Sequence, residues 1–183
     1  MANLIDSDYF TLDTNVPTSD YSNLTTHIAR YEPQVLKMIL GYDLYLLVAA
    51  YDVSTSPQRI KDIVEGKDYT TGSGDSLRTI HWNGLQNDEK ISLIAYYVNY
   101  WWLRNNSQTV FLTGVAESQF ENAVVGGYGH LCNNTWQRLK ELYGGFCNED
   151  YLNPSLYNFL IEHESTYPEW EFIELGSINS FDL

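Results

Sequence analysis

The segment from Asp88 to Asn105 constrains the fold most, because its pattern predicts a helix that is apolar around most of its circumference. Asn87 is suited to cap this helix, and Arg104 lies near its end, where the helix dipole favours a cation. Its apolar side chains form two adjoining stripes at helical spacing, widened by Trp102: Ile91, Ile94, Tyr97, Val98 and Trp101, and Leu93, Tyr96, Tyr100 and Leu103. Such a helix lies at the centre of a domain or between subunits.

Helical spacing recurs along most of the chain. Leu24, Ile28 and Tyr31 predict one helix, Pro33 is expected in the first turn of the next, and Gly41 is expected to end it. Further helices are predicted over Asp43–Ala50, between Pro57 and Gly66, within 116–125, over Asn134–Tyr143 and from Pro154 to a point before Pro168.

A β-hairpin is predicted near residues 67–83, because two short strand-like runs flank a Gly-Ser-Gly-Asp turn at 72–75. The sequence therefore predicts a mainly α fold, in which a compact multi-helix domain carries a small β-hairpin and extended N- and C-terminal arms. We expect a single domain over residues 1–183, with an N-terminal arm at 1–20, a helical core at 21–165 and a C-terminal arm at 166–183.

Charge is distributed very unevenly. The net charge is −14, and all ten Lys and Arg residues lie between Arg30 and Lys140, so the two ends of the chain are purely acidic. An acidic surface makes contact with phosphate costly and argues against direct nucleic-acid binding. DNA passing such a surface would be repelled and would not adhere to it.

The cysteine count, the N-terminal sequence and the length of the longest apolar stretch indicate an intracellular, soluble and reduced protein. Cys132 and Cys147 are the two cysteines, too few for a secreted disulfide scaffold of this length. The N-terminal sequence lacks the basic and apolar regions of a signal peptide. The longest apolar stretch, Leu44–Tyr51, is far shorter than the roughly 20 residues of a membrane span, so we expect no contact with a membrane.

The sequence gives little evidence for a catalytic or ligand-binding site. His130, Cys132 and Cys147 are too few and too widely spaced for a closed zinc site, and Gly126–Gly129 lacks the Lys of a phosphate-binding loop. The turn at Gly72–Ser76 lacks the pattern of a nucleophile elbow. Glu162, His163 and Glu164 point in different directions on a helix and do not converge. We therefore predict no catalytic, cofactor-binding or metal-binding residue, no cofactor and no enzyme activity.

Aromatic residues are abundant and are the candidate interface residues. Tyr and Trp suit interfaces because one end is apolar and the other end forms hydrogen bonds. Within the central helix, the candidates for core or interface are Tyr97, Tyr100, Trp101 and Trp102. In the tail, apolar and acidic residues alternate as in a strand, and the candidates for docking are Trp170, Phe172, Ile178 and Phe181. This tail is either a last strand of its own domain or an arm that pairs with a neighbouring subunit.

Several blocks of sequence occur in a characteristic order over most of the chain, from about residue 28 to the end. They are Tyr31-Glu32-Pro33, Leu40-Gly41-Tyr42, Tyr96-Tyr97, Tyr100-Trp101, Arg104-Asn105-Asn106, Gly114, Glu117, Trp170-Glu171-Phe172 and Ile178-Asn179-Ser180-Phe181. In this order the chain resembles a family of small tail-proximal virion proteins from phages and prophages of gut bacteria, classed with head–tail connectors or adaptors. None of the blocks is catalytic, and their order and spacing carry the resemblance.

The resemblance implies a mainly helical subunit of a homo-oligomeric ring that joins the portal to the tail and lines the DNA channel. Its expected partners are copies of itself, the portal and tail-completion proteins, while DNA passes without specific binding. Its expected location is the virion, and the bacterial cytoplasm during assembly. Two alternatives remain: an acidic cytosolic protein-binding module that mimics nucleic acid or inhibits a basic protein, and a hydrolase whose acid pair no feature selects.

Overall fold

The computed structural model describes residues 3–16, 21–106, 108–111, 114–117, 128–144 and 155–176. It confirms the predicted mainly helical fold with a small antiparallel hairpin. In chain order the elements are α1 (Tyr21–Ala49), α2 (Gln58–Glu65), β1 (Lys67–Thr71), β2 (Arg78–Trp82), α3 (Leu93–Asn106), β3 (Gln108–Phe111), β4 (Gly114–Glu117), α4 (Tyr128–Gly144) and α5 (Leu156–Glu162).

The first helix corrects the prediction that Pro33 would begin a new helix. Pro33 lies inside α1, and the break falls at Gly41, whose φ of 75° and ψ of 169° are not helical. Proline within a helix removes one backbone hydrogen bond and costs about 3 kcal/mol. Side chains on both sides of Pro33, including Ile28 and Leu36, are buried in the same core, and this burial outweighs that loss.

The third helix is central, as its apolar stripes predicted, but it begins later than expected. Every residue from Ser92 to Tyr100 is buried, and α3 packs against both α1 and α4. Its cap is Ser92 and not Asn87, because the Ser92 hydroxyl accepts the Ile94 N–H at 3.3 Å. The Asn87 side chain instead holds both the N–H and the carbonyl of Ile91, which closes a loop before the helix.

The hairpin is joined to the end of α2 by two glycines in close contact. Strands β1 and β2 pair from Lys67 opposite Trp82 to Thr71 opposite Arg78. Gly66 and Gly84 have φ of 94° and 84°, and a Cβ atom on Gly66 would lie 2.3 Å from the Trp82 carbonyl oxygen. Only glycine fits such a backbone conformation at such a distance. This junction fixes the base of the hairpin against α2.

The N-terminal segment, predicted as an arm, lies on the protein's own core over residues 3–16. It forms two short 3-10 turns, Ser7–Tyr9 and Leu12–Thr14. Five of its apolar side chains are buried: Leu4, Ile5, Tyr9, Phe10 and Val16. Buried polar side chains hold its backbone: Glu32 accepts the N–H groups of Leu4 and Ile5 at 2.8 and 3.2 Å, and Asn99 donates to the Thr14 carbonyl at 3.0 Å.

The C-terminal part of the chain also folds back on the domain. The Ser155 hydroxyl accepts the Asn158 N–H and so caps α5, which buries Leu156, Phe159 and Leu160 as predicted. Residues 163–176 contain turns and extended chain but no strand, so the strand expected from the alternation after Glu169 is not formed in this part. Burial does not follow the alternation, because Trp170 is half-buried and Leu175 is buried while Phe172 is exposed.

The remaining predicted elements are partly outside the described residues. The helix predicted within 116–125 falls largely outside them, and residues 114–117 form strand β4, paired with β3. Helix α4 begins at Tyr128, earlier than the predicted Asn134, and ends at Gly144 as expected. The Gly126-Gly127 pair, Ile178 and Phe181 lie outside the described residues.

Candidate interaction surfaces

The aromatic candidates of α3 form a packed cluster with α1 and α4. The Tyr31 and Trp101 rings stack at 5.3 Å, and the Tyr100 and Trp136 rings meet at 5.0 Å. Tyr97 and Tyr100 are buried in the protein's own core, while Trp101 and Trp102 are half-buried. An interface role therefore stays a prediction for Trp101 and Trp102, which still present part of their surface.

Two of the tail candidates, Trp170 and Phe172, form a second group with Tyr143 and Tyr157, and we call these four residues the tail cluster. Phe172 stacks on Tyr143 at 5.7 Å and meets Tyr157 edge-on at 4.7 Å. The Trp170 indole donates to the Ile39 carbonyl at 3.0 Å, so the tail is tied to α1. Phe172 itself is 43% exposed. The tail cluster is thus anchored on one side and open on the other.

A third surface follows the break in α1, and its residues were not among the predicted interface candidates. Tyr42, Leu46 and Leu47 are exposed, Tyr42 by 64%, and we call them the α1 apolar face. Tyr42 and Leu46 lie one turn apart on the same side of the helix. The signal was present in Leu44–Tyr51, which holds more apolar side chains than one buried helix face accommodates.

A cleft of about 820 Å³ lies beside the loop that follows α1. This volume falls in the range of roughly 300–1,000 Å³ that is typical of ligand sites. Its walls come from the N-terminal segment, the α1–α2 loop, the end of α2, β2 and the loop before α3. The lining residues are Asn3, Leu4, Tyr9, Tyr51, Asp52, Val53, Glu65, His81, Asn83, Gln86, Asn87, Asp88, Glu89 and Lys90.

Hydrogen bonds across the cleft hold its walls together. The Tyr9 hydroxyl donates to the Asn87 carbonyl at 3.1 Å and accepts the Asn87 N–H at 2.9 Å. The Gln86 side chain donates to the Leu4 carbonyl at 2.9 Å. Lys90 has a left-handed backbone, with φ of 59°, and its ammonium lies 4.6 Å from the centre of the Tyr9 ring. The N-terminal segment and the loop before α3 therefore form one unit.

The acidic groups of the cleft differ in their environments. The backbone N–H groups of Ser54 and Thr55 donate to Asp52 and lower the pKa of its carboxyl group. The Tyr51 hydroxyl donates to Glu65. Partial burial, followed by that hydrogen bond and the nearby carboxylates, raises the pKa of Tyr51 to about 12. Tyr51 therefore stays a neutral hydrogen-bond donor at physiological pH.

The candidate chemical groups lie apart from one another. His130 is exposed and Cys132 is buried on α4, while Cys147 lies outside the described residues. His163 packs among Tyr69, Phe159 and Tyr167, and Glu162 is hydrogen-bonded to Thr71. Among the described residues, no group of three or more His, Cys, Asp or Glu side chains is placed to hold a metal ion.

In the same part of the chain, no helix is both long and apolar enough to cross a bilayer.

Comparison with known proteins does not assign the chain to a family. No protein-family model, curated protein or solved structure matches it.

Proposed function

We propose that this protein is a virion structural protein, a subunit of a phage head–tail connector ring that joins the portal to the tail and lines the DNA channel. The order of the sequence blocks from Tyr31 to Phe181, in which the chain resembles head–tail connector proteins, supports this proposal. The protein acts by assembly and has no catalytic step. Its partners are copies of itself, the portal and tail-completion proteins.

The observation that carries the proposal is the apolar surface that a single chain leaves open. The α1 apolar face and the tail cluster border the same junction, because the Glu169 carbonyl approaches α1 at Gly41 and Trp170 is bound to Ile39. Exposed aromatic and aliphatic groups of this kind mark protein–protein interfaces. A ring subunit has neighbours on two sides, which would cover such surfaces.

The net charge of the chain supports the proposal that the ring lines a channel through which DNA moves. With a net charge of −14, a ring of these subunits would repel the phosphate backbone over much of its surface. The same charge opposes self-association, and salt weakens this repulsion because charges are screened over roughly 10 Å at 0.1 M ionic strength. Ring formation is therefore expected to increase with salt.

Mass measurement by light scattering on a sizing column tests the proposal. At low and high salt and over a range of protein concentrations, we expect a discrete large oligomer whose share rises with salt. A strict monomer under all conditions would remove autonomous ring formation. Adding the purified portal would then show whether the ring forms only on that template, and a monomer there too would contradict the proposal.

Two matched variants test which surface is used. Leu46→Ser changes an exposed leucine of the α1 apolar face, and Leu77→Ser changes an exposed leucine at the hairpin turn. Leu46 is 42% exposed and Leu77 is 60% exposed, so the control removes at least as much exposed apolar area as the test variant. We expect Leu46→Ser to shift the oligomer towards monomer and Leu77→Ser to leave it unchanged. Equal behaviour of the two variants would contradict a role of the α1 apolar face.

A further inference from the structure

The cleft combines a surplus of negative charge with little internal neutralisation. Asp52, Glu65, Asp88 and Glu89 line it, against the single ammonium of Lys90. That ammonium lies over the Tyr9 ring, and no ion pair joins it to a carboxylate in the described part of the chain. Asp88 and Glu89 are exposed. The cleft therefore attracts cations.

The cleft also has an apolar wall. Tyr51 and Val53 present apolar surface to the cleft, with Val53 64% exposed in the α1–α2 loop, while Leu4 and Tyr9 are buried beneath them. A metal ion would gain nothing from contact with an apolar wall, and the cleft volume of about 820 Å³ is far larger than a metal ion requires. Arg and Lys side chains match both features, because an aliphatic stem packs on apolar surface while the charged head reaches a carboxylate.

Hydrogen bonds within the chain hold the walls of the cleft in position. The two hydrogen bonds between Tyr9 and Asn87 fix the N-terminal segment against the loop that carries Asp88 and Glu89. The turn at Asp52 is fixed by the N–H groups of Ser54 and Thr55. A preformed site reduces the ordering cost of binding.

We propose that this cleft binds a basic segment of a different protein, with an Arg or Lys side chain seated between the carboxylates and the apolar wall. The terminal regions of a second copy cannot supply that side chain, because residues 1–29 and 141–183 contain no Lys or Arg. The inference goes beyond ring formation and does not depend on it, since the whole cleft belongs to one chain.

Binding of a short synthetic peptide of alternating arginine and serine tests the inference. Titration calorimetry at physiological salt measures its affinity for the full-length protein. A peptide with citrulline in place of arginine has the same shape without the charge. We expect the arginine peptide to bind and the citrulline peptide to bind at least about tenfold more weakly, a difference of about 1.4 kcal/mol. Equal affinity for the two peptides, or no binding of the arginine peptide, would overturn the inference.

Paired variants separate the cleft from general attraction to an acidic protein. One variant combines Asp88→Asn and Glu89→Gln in the cleft, and the other combines Glu171→Gln and Glu174→Gln on the exposed tail. Each pair removes the same charge. We expect the cleft pair to weaken binding about tenfold and the tail pair less than about twofold, as for charges that lie inside and outside an interface. An equal loss in both would contradict a specific site.

The apolar wall is tested by Val53→Ser, which leaves the charge unchanged. We expect it to weaken arginine-peptide binding by about threefold, because the stem loses its contact with Val53. Spermine serves as a cation without peptide structure. If spermine bound as tightly as the peptide and Val53→Ser changed neither affinity, the assignment to a protein partner would be wrong. Circular dichroism and thermal unfolding verify that every variant is folded.

Discussion

The guanidinium of Arg59 donates two parallel hydrogen bonds to the carboxylate of Glu169, at 3.0 and 2.6 Å. Arg59 also donates to the Thr166 carbonyl at 3.0 Å, and the Tyr167 hydroxyl donates to the Arg59 carbonyl at 2.8 Å. One residue of α2 thus holds the start of the C-terminal tail from several directions. This fastening brings Trp170 to α1 and so helps to place the tail cluster.

Arg59→Lys is expected to weaken the attachment of the tail to α2 through Glu169. An ammonium cannot form the two parallel bonds of the guanidinium, so we expect a loss of about 1 kcal/mol in the free energy of unfolding. The bonds from Arg59 lower the pKa of Glu169, so the stabilisation is present above pH 4.5 and is lost as the pH falls further. Urea unfolding at several pH values measures both effects. Arg30→Lys, at an exposed position of α1, is the control and should change little.

For Glu32 we expect the opposite effect of pH on the free energy of unfolding. Burial raises the pKa of this carboxyl group, although the N–H groups of Leu4 and Ile5 oppose the shift. The folded protein then holds the proton more tightly than the unfolded chain does. The contribution of Glu32 to the free energy of unfolding is therefore greatest below pH 4.5 and declines as the pH rises through the raised pKa.

Glu32→Gln should remove that decline, because glutamine does not titrate. The substitution should also lower the free energy of unfolding by about 1–3 kcal/mol. One oxygen of Glu32 that accepts a backbone N–H is replaced by an NH₂ group, which cannot accept that hydrogen bond. Denaturant unfolding between about pH 4 and 8 checks both statements. A variant that kept the pH slope of the wild type would show that another group causes it.

Tyr9→Phe tests the bond between the N-terminal segment and the loop before α3. It removes the hydroxyl that both donates to and accepts from the Asn87 backbone. We expect a loss of about 1–2 kcal/mol in the free energy of unfolding. Tyr42→Phe, which changes an exposed tyrosine, should have almost no effect. Arginine-peptide affinity should fall in Tyr9→Phe alone if the bond preforms the cleft.

Gly66→Ala tests the junction between α2 and the hairpin. A methyl group there would meet the Trp82 carbonyl oxygen at 2.3 Å, on a backbone with φ of 94°. We expect a loss of at least about 2 kcal/mol. Gly74→Ala is the matched control, because its φ is also positive, at 57°, but a methyl group there would meet nothing within 4 Å. Thermal unfolding of both variants separates the steric clash from the backbone strain.

Two truncations separate the part of the tail that folds on the domain from the part proposed to reach a partner. Deletion of 169–183 removes the Arg59 ion pair and the packing of Trp170, so we expect a clear fall in melting temperature. Deletion of 177–183 keeps those contacts and removes Ile178 and Phe181. We expect it to retain the melting temperature and lose the oligomer. Retention of the oligomer would contradict docking by this segment.

Elements with strong local signals could be predicted from the sequence. The hairpin follows from its Gly-Ser-Gly-Asp turn, and the central place of α3 follows from two apolar stripes that leave little polar surface. The break at Gly41 was also predicted, as the end of a helix, because a glycine there adopts a positive φ without strain. In each case the signal that predicts the feature lies within a short stretch of sequence.

Features that depend on distant contacts could not be predicted in this way. Asn87 has the chemistry of a helix cap, but its side chain closes the loop at Ile91, and Ser92 caps α3 while its hydroxyl donates to Leu85. The N-terminal segment shows no periodicity, yet it is buried because Glu32 and Asn99 satisfy its backbone groups. The cleft joins residues from Asn3 to Lys90, which no local pattern connects.

The hydrogen bonds of the tail give the protein a built-in optical reporter. Of its five tryptophans, Trp170 lies in the tail, and Trp136 donates from α4 to the Gly176 carbonyl at 3.0 Å. Release of the tail would move Trp170 into water and free the Trp136 indole, and tryptophan emission shifts to longer wavelength when the ring becomes hydrated. Unlabelled protein should therefore reveal, through its fluorescence during mixing with a partner, whether the tail stays in place or leaves the domain.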